Sequence, residues 1–379
     1  MKVVVAIDSF KGCLSSLEAG EAIKCGILKA KPEAEVYVCP LADGGEGTVE
    51  SLTLGLGGKQ ITANVTGPLG EPVDCVYGIL EESKTAIIEM SGAAGITLVP
   101  EAQRNPLYTT TYGVGEIIRD AIERGCRHFI VGIGGSTTND GGIGMLQALG
   151  YGMLDKYGNQ VSFGAIGLKE LERITDDHVL PELKKCTFRI ACDVTNPLCG
   201  EFGCSSVFGP QKGANTTMIQ QMDQWLTSYA NLTAEKYERA DATYPGTGAA
   251  GGMGFAFLSF TNAVLESGVN IILEETNLEN DIKNADMVIT GEGRLDGQTI
   301  FGKAPIGVAQ LAKKYHKPVL AFAGSVTSDA TACNKHGIDA FFPILRSIQT
   351  LDEAIEPSTA KENIIATVEQ VFRLINIKK

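Results

Sequence analysis

Apolar residues open the chain as a tight block, Val3-Val4-Val5-Ala6-Ile7, closed by Asp8. A short, unbroken, β-branched block predicts a strand buried on both faces, as in parallel sheets. Ser15-Ser16-Leu17-Glu18 has the pattern of a capping box, and Ile23 and Ile27, one turn apart, predict a helix that stops before Pro32. Val36–Cys39 predicts a second strand closed by Pro40, and the loop Leu41 to Gly47 leads into a short helix ending at Gly57-Gly58. Strand, helix, strand, helix is the start of a parallel α/β sheet.

The pattern then changes. Between Ile61 and Met90, three extended stretches separated by Gly67-Pro68-Leu69-Gly70 and Glu81-Glu82-Ser83 predict an antiparallel meander. A helix over Gly113–Arg124 feeds a strand at His128–Ile133, a further strand is expected at Arg189–Cys192, and long helices near Thr216–Leu232 and Gly252–Glu266. The βα rhythm returns with strands at Met287–Thr290, Val319–Ala323 and Ala340–Phe342, a helix at Pro305–Lys314 and a terminal helix over Ala360–Ile377. The expected architecture is a discontinuous, doubly wound α/β domain, residues 1–65 and 285–379, with a mixed α/β domain inserted over 66–284. Five parallel strands begun by a βαβ unit suit the order 2-1-3-4-5, whose switch point lies between the carboxyl ends of the first and third strands. In this chain those ends are Asp8-Ser9-Phe10-Lys11-Gly12 and Thr290-Gly291-Glu292-Gly293-Arg294-Leu295-Asp296-Gly297, both rich in charge and glycine.

Composition narrows the class of ligand. The 379 residues carry 32 Lys+Arg against 45 Asp+Glu, a formal charge of −13, which argues against nucleic acid or an anionic membrane as the main partner. No apolar stretch is long enough for a membrane span or signal peptide, and the ten cysteines are scattered without a CxxC pair, so reduced thiols and a cytoplasmic protein are expected. The 45 glycines matter more, because they cluster directly after apolar runs.

Four such clusters are candidates for chemistry. Asp8, Ser9 and Lys11 place a carboxylate, a hydroxyl and an ammonium where a buried strand meets solvent, although a simple helix-entry loop would also use them. Asp43-Gly44-Gly45 ends the second strand with backbone amides suited to an anion, or with a capped turn. Gly134-Gly135-Ser136-Thr137-Thr138-Asn139-Asp140-Gly141-Gly142 packs hydroxyls, an amide and a carboxylate among glycines, more than a turn needs, and could hold a phosphate, a substrate hydroxyl or hydrated Mg²⁺. Asp193 ends another strand as a base, metal ligand or cap, and Lys212 sits in Gly209-Pro210-Gln211-Lys212-Gly213 as a phosphate clamp or a solvated lysine. Two patterns mislead. Gly297 to Lys303 matches GxxxxGK, but Ala304 stands where a P-loop needs a hydroxyl; Gly246 to Gly251 matches GxGxxG without a strand leading in. The four histidines lack metal-ligand spacing.

Together, the Val3–Gly12 opening, the Leu41-Ala42-Asp43-Gly44-Gly45-Glu46-Gly47 loop, the Gly134–Gly142 loop and Gly291-Glu292-Gly293-Arg294-Leu295-Asp296 resemble the glycerate kinase family of bacterial glycerate, glyoxylate and galactarate metabolism. The resemblance implies ATP- and Mg²⁺-dependent phosphorylation of D-glycerate to 2-phosphoglycerate, by a monomer or homodimer. It also implies a flavodoxin-like domain and one resembling a restriction-endonuclease core, with the site in the cleft between them. In that setting Asp193 or Asp43 would accept the hydroxyl proton. Asp140, Asp296 or Glu292 would hold Mg²⁺, Lys11, Lys212 and Lys303 would neutralise phosphate oxygens, and Arg294 would fork onto the glycerate carboxylate. Asp8, Ser9, Gly44, Gly45, Ser136, Thr137, Thr138 and Asn139 complete the expected binding set. The alternatives are a dinucleotide-dependent oxidoreductase, disfavoured by the missing strand-borne glycine fingerprint, and a non-catalytic small-acid sensor.

Overall fold

Val3 to Ile7 are fully buried, as their unbroken apolar run requires, and they form an interior strand of a five-stranded parallel sheet. The computed structural model describes residues 1–41 and 47–377, so Asp43, Gly44 and Gly45 lie outside the described residues. The strands in chain order are β1 Lys2–Ile7, β2 Glu35–Pro40, β3 Lys59–Thr66, β4 Pro72–Leu80, β5 Thr85–Glu89, β6 His128–Gly132, β7 Gly152–Leu154, β8 Arg173–Thr175, β9 Thr187–Ala191, β10 Ala263–Glu266, β11 Met287–Leu295, β12 Val319–Val326 and β13 Ala340–Pro343. The chain divides into two compact units, Met1–Asp43 with Glu50–Leu56 and Val269–Lys379, and Gly44–Val49 with Gly57–Gly268.

In the first unit the sheet runs β13-β12-β11-β1-β2, all neighbours parallel, which is the expected 2-1-3-4-5 order. The capping box forms: the Ser15 hydroxyl accepts from the Glu18 amide at 3.2 Å and the Glu18 carboxylate accepts from the Ser15 amide at 3.0 Å. That helix, Ser16–Ala30, buries Ile23 and Ile27 in one cluster with Val3, Val5 and Ile7 and with Ile364 and Phe372 of the terminal helix Pro357–Asn376. The chain passes from β1 to β2 and from β11 to β12, in opposite directions along the sheet, which makes the carboxyl ends of β1 and β11 its topological switch point. There the Asp8 amide donates to the Gly291 carbonyl at 3.0 Å.

The second unit is built on the sheet β10-β9-β6-β5-β4-β3, with β7 and β8 as a separate antiparallel pair. β3, β4 and β5 form the expected antiparallel meander, whereas β5, β6, β9 and β10 are parallel, so their carboxyl ends share one edge. Phe129 and Phe188 stack at 4.7 Å between ring centroids in its core. Two expectations need correction. The helix placed over Gly252–Glu266 ends at Phe260, and Ala263–Glu266 is β10, fixed to β9 by a bidentate Arg189–Glu266 pair (2.7 and 2.9 Å). The boundaries at 65/66 and 284/285 also shift, because β3 pairs with β4 and the stretch from Val269 groups with the first unit.

The segment that mimicked GxGxxG is a packing device. Gly251 has φ +66°, and a Cβ there would lie 2.1 Å from the Thr138 carbonyl oxygen; its own carbonyl accepts from the Gly141 amide at 2.9 Å. A Gly251→Ala chain is expected to lose roughly 1–3 kcal/mol in chemical denaturation. An unchanged unfolding midpoint would show that the glycine is dispensable to the Thr138–Gly142 loop.

Among the described residues no helix is long and apolar enough to cross a membrane.

Candidate active site

The first unit gathers charge at the ends of β1 and β11. Asp8 is buried, and its Oδ1 accepts from the Ser9 amide at 2.7 Å. Lys11 is exposed, and the backbone passes close by: a Cβ on Gly293 would lie 3.5 Å from Phe10 Cα and 3.7 Å from the Lys11 nitrogen. Glu292 is buried between two donors, the Thr299 hydroxyl at 2.7 Å and the Lys303 ammonium at 3.1 Å. Burial pushes the Glu292 carboxyl up from its ordinary value, and Thr299 and Lys303 pull it back. Arg294 is mostly exposed, with its Nε 3.5 Å from Asp296 Oδ2, and Asp296 Oδ1 accepts from the Gln298 amide at 2.9 Å. Asp8, Ser9 and Lys11 therefore follow β1, Glu292 and Arg294 lie in the last residues of β11, and Asp296 and Lys303 lie in the segment after it, all in one unit.

The second unit gathers hydroxyls and amides where its parallel strands end. Gly134 and Gly135 are exposed, Ser136 is nearly covered, and Thr137, Thr138, Asn139 and Asp140 are fully buried. Asp140 is not placed as a metal ligand. Its Oδ2 accepts from the Thr111 amide (3.0 Å), the Thr111 hydroxyl (2.8 Å) and the Gly144 amide (3.4 Å), and its Oδ1 from the Gly142 amide (3.1 Å). Burial pushes its carboxyl up, and these donors pull it back. Both oxygens are committed to holding the loop's shape, which corrects the expectation for Asp140.

Lys212 is likewise not a solvent-facing clamp. It is 1% exposed, and its ammonium donates to Ser136 Oγ at 2.8 Å and to the Thr138 carbonyl at 2.6 Å. Burial lowers its pKa to about 8, against the raising influence of Cys204 and Asp140. Asp193 sits exposed just beyond β9, with Oδ1 accepting from the Gly268 amide at 3.1 Å just beyond β10. The pairing Gly132↔Ala191 puts the Ser136 and Asp193 loops on adjacent parallel strands.

Several supporting residues were not anticipated. Thr109 donates to the Thr137 carbonyl at 3.0 Å, Thr111 holds Asp140, and Asn139 Nδ2 donates to Ser205 Oγ at 2.8 Å. The run Thr109-Thr110-Thr111, three hydroxyls before an amphipathic helix, was the available signal. Glu89, at the carboxyl end of β5, accepts from the Val49 amide at 2.7 Å.

Among the described residues no group of three or more His, Cys, Asp or Glu side chains converges tightly enough to hold a metal by itself. Mg²⁺ binds through one or two carboxylates together with substrate phosphates, so this chain's partly buried Asp296 fits such an ion in donor type.

Comparison with known proteins agrees with this picture. The sequence profile of the glycerate kinase family matches residues 3–376. The glycerate 2-kinase of Escherichia coli K12 is 49% identical over 97% of this chain and 98% of its own length, and the glycerate kinase of Bacillus subtilis 168 is 45% identical over 100% and 99%. The crystal structure of a Salmonella typhimurium LT2 protein assigned as glycerate kinase 2 superimposes with a TM-score of 0.92, at 46% identity and covering 100% of this chain and 99% of that one. With the motif loops in order along essentially its whole length, the chain belongs to the glycerate kinase family.

Proposed function

We propose that this protein transfers the γ-phosphoryl group of ATP to the 2-hydroxyl of D-glycerate, releasing 2-phosphoglycerate and ADP. The observation that carries the reading is the end-to-end match with the Escherichia coli glycerate 2-kinase, in a chain whose charged and glycine-rich loops lie at parallel strand ends. Phosphoryl transfer asks a protein for positioning and charge neutralisation more than for covalent chemistry. Asp193 accepts the proton of the attacking hydroxyl; Asp43 remains the alternative and lies outside the described residues. Lys11 and Lys303 neutralise phosphate oxygens, and Asp8, Ser9 and Glu292 shape their surroundings. Asp296 would hold Mg²⁺, which supplies compensation for the charge of the phosphates. The small, anionic substrate and acidic chain suit a cytoplasmic enzyme.

A ³¹P NMR assay with ATP, Mg²⁺ and D-glycerate tests this directly. A 2-phosphoglycerate resonance is expected; 3-phosphoglycerate would reverse the substrate's orientation, and no transfer by folded protein would end the kinase reading.

Arg294 is the proposed partner of the glycerate carboxylate, because its exposed guanidinium is held only loosely, 3.5 Å from Asp296. Arg294→Ala is expected to raise KM for glycerate roughly 10- to 100-fold, the worth of a charge-assisted hydrogen bond, with KM for ATP little changed. An unchanged glycerate KM would remove Arg294 from that role.

A further inference from the structure

The Lys212 side chain poses a question that a phosphate clamp does not answer. A buried ammonium normally faces a carboxylate, yet this one spends its hydrogen bonds on a serine hydroxyl and a main-chain carbonyl of one glycine-rich loop. At 1% exposure it cannot meet a ligand, whereas Ser136, at 7%, follows the exposed Gly134 and Gly135. Ser136 Oγ accepts from Lys212, and among the described residues nothing accepts the Ser136 hydroxyl proton. A hydroxyl that accepts from a cation has its remaining hydrogen polarised and directed elsewhere.

We propose that Lys212 is a positioning residue that acts through Ser136. Its ammonium orients and polarises the Ser136 hydroxyl so that the Gly134-Gly135-Ser136 tip presents a fixed O–H donor to an anionic oxygen of a substrate. The anion is a phosphate oxygen of ATP or the carboxylate of glycerate; both present the same acceptor. This deepens the kinase reading and rests on it.

Three features support the assignment. The Thr138 carbonyl accepts the second ammonium proton at 2.6 Å, so two points of the loop are tied to one cation. Gly135 has φ +72°, a turn of backbone that lets main-chain amides face an anion. The charged and titratable groups acting on Lys212 are Asp140, from the same loop, and Cys204, from the helix Cys204–Phe208. Asp140 is committed to Thr111, Gly142 and Gly144, and burial holds the Cys204 thiol up at about 12. Neither is hydrogen-bonded to the Lys212 ammonium, which leaves its charge for the loop and for what the loop binds.

The test compares the full-length wild type with Ser136→Ala, Ser136→Thr, Lys212→Met and the Ser136→Ala/Lys212→Met double variant, using ATP, Mg²⁺ and D-glycerate. Wild-type turnover is measured first, and its absence would defeat the kinase reading itself. Given turnover, Ser136→Ala is expected to lose about 10²-fold in kcat/KM, the scale of one preorganised oxyanion donor, with Ser136→Thr recovering much of it. The double variant should lose no more than Lys212→Met alone, because the two side chains act as one unit. A loss carried by KM for ATP identifies a phosphate oxygen, and one carried by KM for glycerate identifies the carboxylate. The wild-type kcat/KM should fall as pH rises through about 8, where Lys212 loses its proton, and Ser136→Ala should lack that limb. Unchanged kinetics in Ser136→Ala, fully additive losses in the double variant, or an alkaline limb unchanged by Ser136→Ala would each overturn the inference. If Lys212→Met fails to fold, Ser136→Ala, Ser136→Thr and the pH profile still decide it.

Discussion

Asp193→Asn is expected to keep the wild-type stability and lose about 10²- to 10⁴-fold in kcat, the range by which a positioned general base accelerates a reaction. The two halves of that expectation come from different atoms. Asp193 is exposed and its Oδ1 accepts from the Gly268 amide, and the amide oxygen of asparagine can make that same bond. That tie to the main chain is therefore kept. An amide cannot take the proton of the attacking hydroxyl, so the chemical step loses its base. Steady-state kinetics beside a thermal melt checks both halves. A near-normal kcat would transfer the role to Asp43, and a low Tm with low kcat would make Asp193 a structural residue.

The Asp140→Asn chain should behave in the opposite way. Four donors converge on this carboxylate, three of them main-chain amides of buried residues. Asparagine turns an –NH₂ group toward at least one of them and replaces charge-assisted bonds with neutral ones. A buried donor left without a partner costs about 1–3 kcal/mol, and weakening of the rest brings the expected loss to about 2–4 kcal/mol. Differential scanning calorimetry should show a drop on the order of 10 °C in the unfolding of the second unit. The dependence of residual activity on Mg²⁺ concentration should stay as in the wild type. A stable variant whose Mg²⁺ requirement rose sharply would restore the ligand role expected from its place in the loop.

The sheet of the first unit was legible because its strands are short apolar blocks punctuated by Gly and Pro, and helix-crossover rules leave few orders for such blocks. Even the switch-point loops could be named. β10 was not legible, since Ala263–Glu266 is a four-residue strand directly after an apolar helix, where periodicity cannot separate the two states. Lys212 and Asp140 show the limit at the site. Each was marked by its glycine-rich surroundings, but its role is set by partners 74 and 29 residues away, Thr138 and Thr111. A lysine between Gln211 and Gly213 carries no local sign that it will be sealed inside, so its burial belongs to tertiary packing and not to the loop's own sequence.

The split layout of the first unit has a consequence during synthesis. Its central pairing joins β1 to β11, and Lys2 bonds to Asp286, 284 residues away along the chain. Most of the second unit is one uninterrupted stretch, Gly57–Gly268, and all its strands emerge from the ribosome before β11 does. A nascent chain can thus complete the inner body first, while the amino-terminal βαβ waits with an unpaired edge on β1. Ribosome stalling at a point where Gly268 has emerged but β11 has not should yield a protease-resistant core lacking the amino-terminal segment, and the stretch Lys2–Pro40 should become protected only after β11 and β12 emerge.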